Sequence, residues 1–473
     1  MKEDFTQEKH HGWIVWLSIA AVLLIGVGIF FYYTFFRQAK SELIEAVPTN
    51  AQFVFEINDN TTFNQSIQKL SVYFNEMFFL ESLPAYQTVY QKLPYKKENY
   101  CLTISGHQTD NGMRILYNTH IDKAAFKKLL RALSIDPANY TSFEQFKIYT
   151  YGTNFKSLKF VYFNHILTIS EDIDLVKKSL LQHTHPKNLL SDDLFKKIYQ
   201  LTTKNTKQNW LLIRNPEYGK SIAPLFSENV VSAVKKDNRI AQWSAFQLRI
   251  SQNELFLSGY MPVTGNYKTD MEQSHSFSIP ETFIPFATEW YHHRNHKDWA
   301  SCHISVAADS SKHYEYLVLV QDTLHKAFIP FGNQDKAEEL RNNYPNGIYP
   351  VTDSTFKGNT AIDFNSYTCF IERNGSYLFA TSEEALTYYT KAMSQNGAIT
   401  ENRFYKFSQN NVASNNIEEF SYYNFNNEKC CQNLFSAQGK SYHIGQNLTI
   451  LSVSCTSIHD DFAAINLYLN FSK

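Results

Sequence analysis

The densest group of side chains able to do chemistry is the run Tyr291-His292-His293-Arg294-Asn295-His296-Lys297-Asp298-Trp299. His292 and His296 are four residues apart. On a helix that spacing puts both imidazoles on one face, where two ring nitrogens can hold a metal or pass a proton. Asp298 adds a carboxylate within reach of the same group. His292, His296 and Asp298 are therefore the first catalytic candidates. A zinc-hydrolase helix needs a glutamate between its histidines, and His293, Arg294 and Asn295 fill that gap instead. A solvated helix end or loop is the simpler reading, and no metal or cofactor is expected. His183 and His185 precede Pro186 and are expected in a surface loop.

The remaining reactive groups lead to the same place. Cysteines stand at 101, 302, 369, 430, 431 and 455. Four of them fall in strand-like stretches, where a small thiol packs well. Cys430 and Cys431 are adjacent and too close for an unstrained bridge. There is no Cys-x-x-Cys, no Gly-x-Ser-x-Gly, no phosphate loop and no dinucleotide fingerprint. The acid pairs Asp192-Asp193 and Glu383-Glu384 open predicted helices, where the positive helix end accounts for them.

The elements that must hold these groups are strands and short helices. Gln52–Ile57, Lys147–Tyr151, Leu158–Phe163, Phe246–Ile250 and Leu255–Tyr260 alternate apolar and polar residues as half-buried strands do. Residues 121–133 and 172–181 carry apolar side chains at helical spacing. Ser170 and Ser382 are read as helix N-caps. Tight polar turns between strands favour antiparallel pairing. The expected fold class is α+β, with helices packed on one face of a largely antiparallel sheet.

The pattern occurs twice. The strand-Ser-acid-acid-helix unit at Ser170 returns at Ser382. The stretch from Trp243 resembles that from Ile450, each being two strands around a turn. Cys101 and Cys302 occupy similar places. The expected organisation is a tail over 1–12, a transmembrane helix over 13–36, a linker over 37–46, a first copy over 47–265, a linker over 266–278 and a second copy over 279–473.

The span rests on 24 uncharged residues, Trp13 to Phe36. As a helix they measure about 36 Å, against about 30 Å of hydrocarbon. The stretch is too long, and ends too bulkily, for a cleaved signal peptide. A signal anchor is expected, with the body exported. Flanking basic residues tie in number, so charge does not set the orientation.

The whole chain has 473 residues, a formal net charge of −1 and 15% aromatic side chains. Near-neutrality excludes an electrostatic nucleic-acid binder, and the aromatics exclude a disordered chain.

The apolar N-terminal span, the segment VPTNAQFVFEIND over 47–59 and the repeated units at Ser170 and Ser382 resemble a family of membrane-anchored exported proteins of Gram-negative bacteria without assigned activity. The resemblance implies an inner-membrane protein, single-pass, with its duplicated C-terminal body in the periplasm. It carries over no catalytic residue. The leading expectation is a non-enzymatic binding or scaffolding protein of the envelope, with the membrane and an envelope protein as partners. The alternatives are a hydrolase with a site at the seam between copies, and a carrier of apolar ligands or lipids.

Overall fold

The computed structural model describes residues 43–58, 83–93, 101–110, 112–152, 157–184, 187–203, 208–215, 227–228, 242–251, 253–263, 281–295, 299–308, 312–321, 334–351, 364–373, 376–412, 417–425, 448–457 and 462–471. Their strands form one antiparallel sheet of 19 members, with few helices. This corrects the expected α+β class of two separate sheets, each helix-covered on one face. The chain's contacts divide it into two units. The first is Met1–Ala51, Glu56–Asn60 and Ser82–Lys196. The second is Gln52–Phe55, Thr61–Glu81 and Lys197–Lys473.

In the first unit the neighbours are β4 (Thr141–Phe143), β5 (Phe146–Tyr151), β6 (Leu158–Phe163), β7 (Ile166–Ser170), β3 (Gly112–His120) and β2 (Leu102–Thr109), in that order. Strand β1 (Ala51–Ile57) pairs with β2 and with β8 (Trp210–Arg214). Helices cover both faces here. Phe126, on α2 (Lys123–Ala132), stacks on Tyr162 and meets Phe160 edge-on. On the opposite face Val176 and Leu180, of α3 (Ile173–Thr184), pack with Ile148, Val161 and Phe163. The reason is visible in burial: every residue of Ile166–Ser170 is buried, which requires cover above and below. A shorter helix, α1 (Leu83–Gln91), brings Tyr86 onto Tyr117, the rings stacked 4.2 Å apart.

In the second unit the order is β8, β9 (Trp243–Ile250), β10 (Glu254–Pro262), β19 (Phe462–Phe471), β18 (Leu448–Ser457), β17 (Ile417–Asn424), β11 (Thr288–Asn295), β12 (Trp299–Ala307), β13 (His313–Gln321), β16 (Ser376–Ala380), β15 (Cys369–Arg373) and β14 (Tyr349–Pro350). The succession β5-β6-β7-β3-β2 of the first unit thus recurs as β14-β15-β16-β13-β12, and β8-β9-β10 recurs as β17-β18-β19. Tyr389, on α6 (Glu383–Asn396), and Tyr405, on α7 (Arg403–Val412), sit in one core with Tyr291, Tyr316, Tyr422 and Tyr468. Leu340, on α5 (Gln334–Asn343), packs on the other face with Leu317, Phe370 and Phe379.

Helix starts follow local chemistry. Asp122 accepts from Ala125 N at 2.6 Å and Ser382 from Ala385 N at 3.1 Å. Ser170 does not cap α3. It ends β7 and donates to Ile115 O, and Asp172 takes the cap by accepting from Asp174 N at 2.8 Å and from Leu175 N. Asp192 does the same for α4 (Asp193–Thr203).

The expected transmembrane signal anchor is corrected as well. Among the described residues no helix is long and apolar enough to cross a membrane. Residues 13–36, on which that expectation rested, lie outside the described residues.

Candidate interaction surface

The His-rich run is a strand, not a helix end. Residues 288–295 form β11, and His292 and His293 therefore point to opposite faces of the sheet. His292 Nδ1 lies 2.8 Å from Ser421 Oγ on β17. His293 is buried beside Asn295, whose Oδ1 is 3.1 Å from Nε2. Burial depresses its pKa to about 4, keeping the ring neutral. His296 and Asp298 lie outside the described residues. His292 stands on a strand, in which period two governs.

What stands beside His292 is His303, its pairing partner on β12. Burial, with His292 adding to it, holds His303 at about pKa 4. The Tyr367 hydroxyl is 3.4 Å from its Nδ1. Among the described residues no group of three or more His, Cys, Asp or Glu is placed to hold a metal ion.

Two further polar clusters escaped the sequence reading. In the first unit Ser105 Oγ is 2.8 Å from His107 Nε2, and His107 Nδ1 is 3.0 Å from Asn50 Oδ1. The order of atoms resembles a nucleophile relay, yet Ser105 and His107 are wholly buried, and no substrate atom reaches the hydroxyl. Desolvation, aided by Lys178, lowers His107 to about 3. In the second unit His313 Nδ1 donates to Glu289 Oε2 at 2.5 Å. The Ser305 hydroxyl donates to that same carboxylate oxygen instead of standing on the imidazole, so the hydroxyl is not activated. Cys302 is buried in the tyrosine-rich core, which pushes its thiol pKa up and leaves it inert.

The surface with the clearest character is a face of the central strands. One row of directly paired residues crosses the second unit: Leu248, Leu257, Leu467, Val453, Ser421, His292, His303, Leu317, Phe379 and Phe370. Its far end, from Leu317 onward, is buried under Leu340 and Trp299. Its near end is aliphatic and half-buried. The neighbouring pairs Leu255↔Leu469 and Leu255↔Ile250, and Leu451↔Leu469, are aliphatic and half-buried too. Ser421, His292 and His303 form a polar stripe between the two ends. The opposite side of the same strands carries a polar row, Gln247, Ser258 and Asn466, beside the Phe256, Tyr468, Tyr422 and Tyr291 side chains of the tyrosine-rich core. Arg249 lies over the Phe256 ring at 4.8 Å. The alternation in Trp243–Ile250 and Glu254–Pro262 held the signal of the aliphatic face, but its extent depends on β10 meeting β19.

No protein-family model matches the chain, and no curated protein matches it. Among solved structures it is similar to crystal form I of TP0453, at 12% identity over 46% of this chain and 78% of that one, with a TM-score of 0.27. Crystal form III of TP0453 is similar at 11% identity over 50% and 88%, also with a TM-score of 0.27.

Proposed function

We propose that the protein is a non-enzymatic binding or scaffolding protein of the cell envelope, working on the periplasmic side of the inner membrane. The observation that carries the binding reading is the half-buried aliphatic row Leu248, Leu257, Leu467 and Val453, on the face opposite the tyrosine-rich core. Such a face is stabilised when something apolar covers it. The location is the one that the resemblance of the segment over 47–59 and of the repeated units at Ser170 and Ser382 implies. The recurring strand order supports reading the body as two copies of one unit.

Photo-crosslinking in cells tests the reading. A photoreactive residue at Leu257 is expected to capture a partner, and one at exposed Arg249 on the opposite side is not. Equal capture from both positions, or from neither, contradicts a binding face. Fractionation tests the location: recovery of the intact chain in the cytosol contradicts it.

A further inference from the structure

We propose that the outward row of basic side chains on α2 binds the anionic headgroup surface of a lipid bilayer. This surface lies in the first unit and does not depend on the aliphatic row of the second.

Helix α2 carries Lys123, Lys127, Lys128 and Arg131, all exposed, and no acidic residue. Its other side, with Phe126, Leu129 and Leu130, is buried, so what it presents outward is charge. Among the described residues none of the four basic groups is in an ion pair or a hydrogen bond. The flanking acids are turned to the backbone: Asp122 accepts from Ala125 N at 2.6 Å and Asp136 from Ala138 N at 2.9 Å.

An ordinary solvated helix face does not account for this row. Helices α3, α4, α5 and α6 each mix the two signs of charge. Lys177 of α3 meets Asp174 at 2.9 Å, and Arg341 of α5 meets Glu372 at 3.0 Å. In α2, by contrast, Lys123 and Lys127, and Lys127 and Arg131, are like charges one turn apart, which weakens a helix in water. Lys123 also stands at the positive end of the helix dipole, where a cation is unfavourable. An anionic partner relieves both costs.

The layout selects the kind of anion. Lys123, Lys127 and Arg131 form a straight line about 12 Å long, with Lys128 beside it. On a convex helix surface a small anion reaches one or two of these groups, while a flat layer of phosphates reaches all four. Three of the four are lysines, point charges on flexible stems that suit a diffuse negative surface better than the paired geometry arginine favours. The edge of the same face is aromatic and basic. Phe126 meets Tyr149 at 5.8 Å, Tyr149 meets Tyr140 at 6.1 Å, and Lys147 lies over the exposed Tyr140 ring at 4.2 Å. Tyrosine beside lysine is the composition that settles at headgroup level. A basic side chain within a Debye length of anionic lipid raises binding about fivefold, so four raise it roughly 600-fold.

The test uses the full-length chain with lipid nanodiscs, either phosphatidylcholine alone or phosphatidylcholine mixed with phosphatidylglycerol. An amine-reactive reagent labels the lysines, and mass spectrometry reads the rate at each. On the anionic discs labelling of Lys123, Lys127 and Lys128 is expected to fall severalfold relative to the neutral discs. It is expected to recover in molar salt, where the Debye length shrinks to about 3 Å. Lys178, exposed on α3 across the sheet, is expected to label alike on both. The double variant Lys127→Gln, Lys128→Gln is expected to bind roughly 25-fold more weakly and to lose the protection of Lys123, with unchanged circular dichroism. Equal labelling of α2 on both discs would overturn the proposal, as would protection that ignores salt or survives intact at Lys123 in the double variant. Protection in intact envelopes but not on pure lipid would overturn the bilayer in favour of an acidic macromolecule. None of these outcomes bears on the binding reading at Leu257.

Discussion

The Ser258 hydroxyl donates to Asn466 Oδ1 at 2.7 Å, joining residues 208 positions apart at the middle of the β10–β19 pair. This hydrogen bond lies on the face opposite the aliphatic row, beside Phe256 and Tyr468 of the core. Ser258→Ala removes it and leaves the amide half-buried. The expected loss is about 1 kcal/mol, read as a lower urea midpoint at unchanged slope. No loss would mean that water replaces the hydroxyl freely.

Gly259 is the next residue along. A β-carbon there would meet the carbonyl oxygen of Ala245 at 1.9 Å, a contact no side chain tolerates. Gly259→Ala must push β9 from β10, at an expected 1–3 kcal/mol, roughly. Thermal unfolding checks it, and a variant as stable as wild type would show that the strands part easily here.

Acid should weaken the fold through its buried histidines. His107 is held at about 3 and His293 and His303 at about 4, all below the ordinary 6.5. The unfolded chain therefore takes up protons first as pH falls below about 6.5, and each histidine then costs about 1.4 kcal/mol per pH unit until its folded value is reached. Stability is expected to drop between pH 6.5 and 4, with a shallower slope in His293→Gln. Urea titrations across that range give the slopes, and identical slopes would remove His293 from the account.

The helix caps separate two serines that look alike. Ser382→Ala is expected to cost about 1 kcal/mol, because its hydroxyl accepts from Ala385 N. In the first unit the corresponding loss belongs to Asp172→Ala, since Asp172 holds the start of α3. Chemical denaturation of both variants decides. A larger loss on replacing Ser170 by Ala than on replacing Asp172 would not settle the cap alone, because Ser170 also holds Ile115 O. Retained full stability in Asp172→Ala would.

Local pattern carried much of this fold. Leu158–Phe163 alternates, and it is β6 at those bounds. Asp122 and Ser382 stand one residue before their helices and cap them. What pattern could not carry is long-range pairing. Nothing in Glu254–Pro262 announces Phe462–Phe471 as its neighbour, and without that pair the sheet reads as separate pieces. Cover on both faces was not read from sequence, which placed helices on one face only; it shows in strands such as Ser376–Ala380 that are buried throughout. The His run misled because spacing of four suits a helix, while its alternation in burial, Trp290 out and Tyr291 in, belongs to a strand. His303 could not be joined to His292 from sequence, because the register of the β11–β12 hairpin sets that neighbour.

The central claim is that the aliphatic face is covered in the working protein. Maleimide labelling of single-cysteine variants, in a background with the native cysteines replaced by serine or alanine and made in intact envelopes, measures this directly. Cysteine at Leu257 is expected to be protected until the assembly is dissociated, while cysteine at Arg249 reacts from the start. Equal and immediate labelling at both positions would contradict the claim.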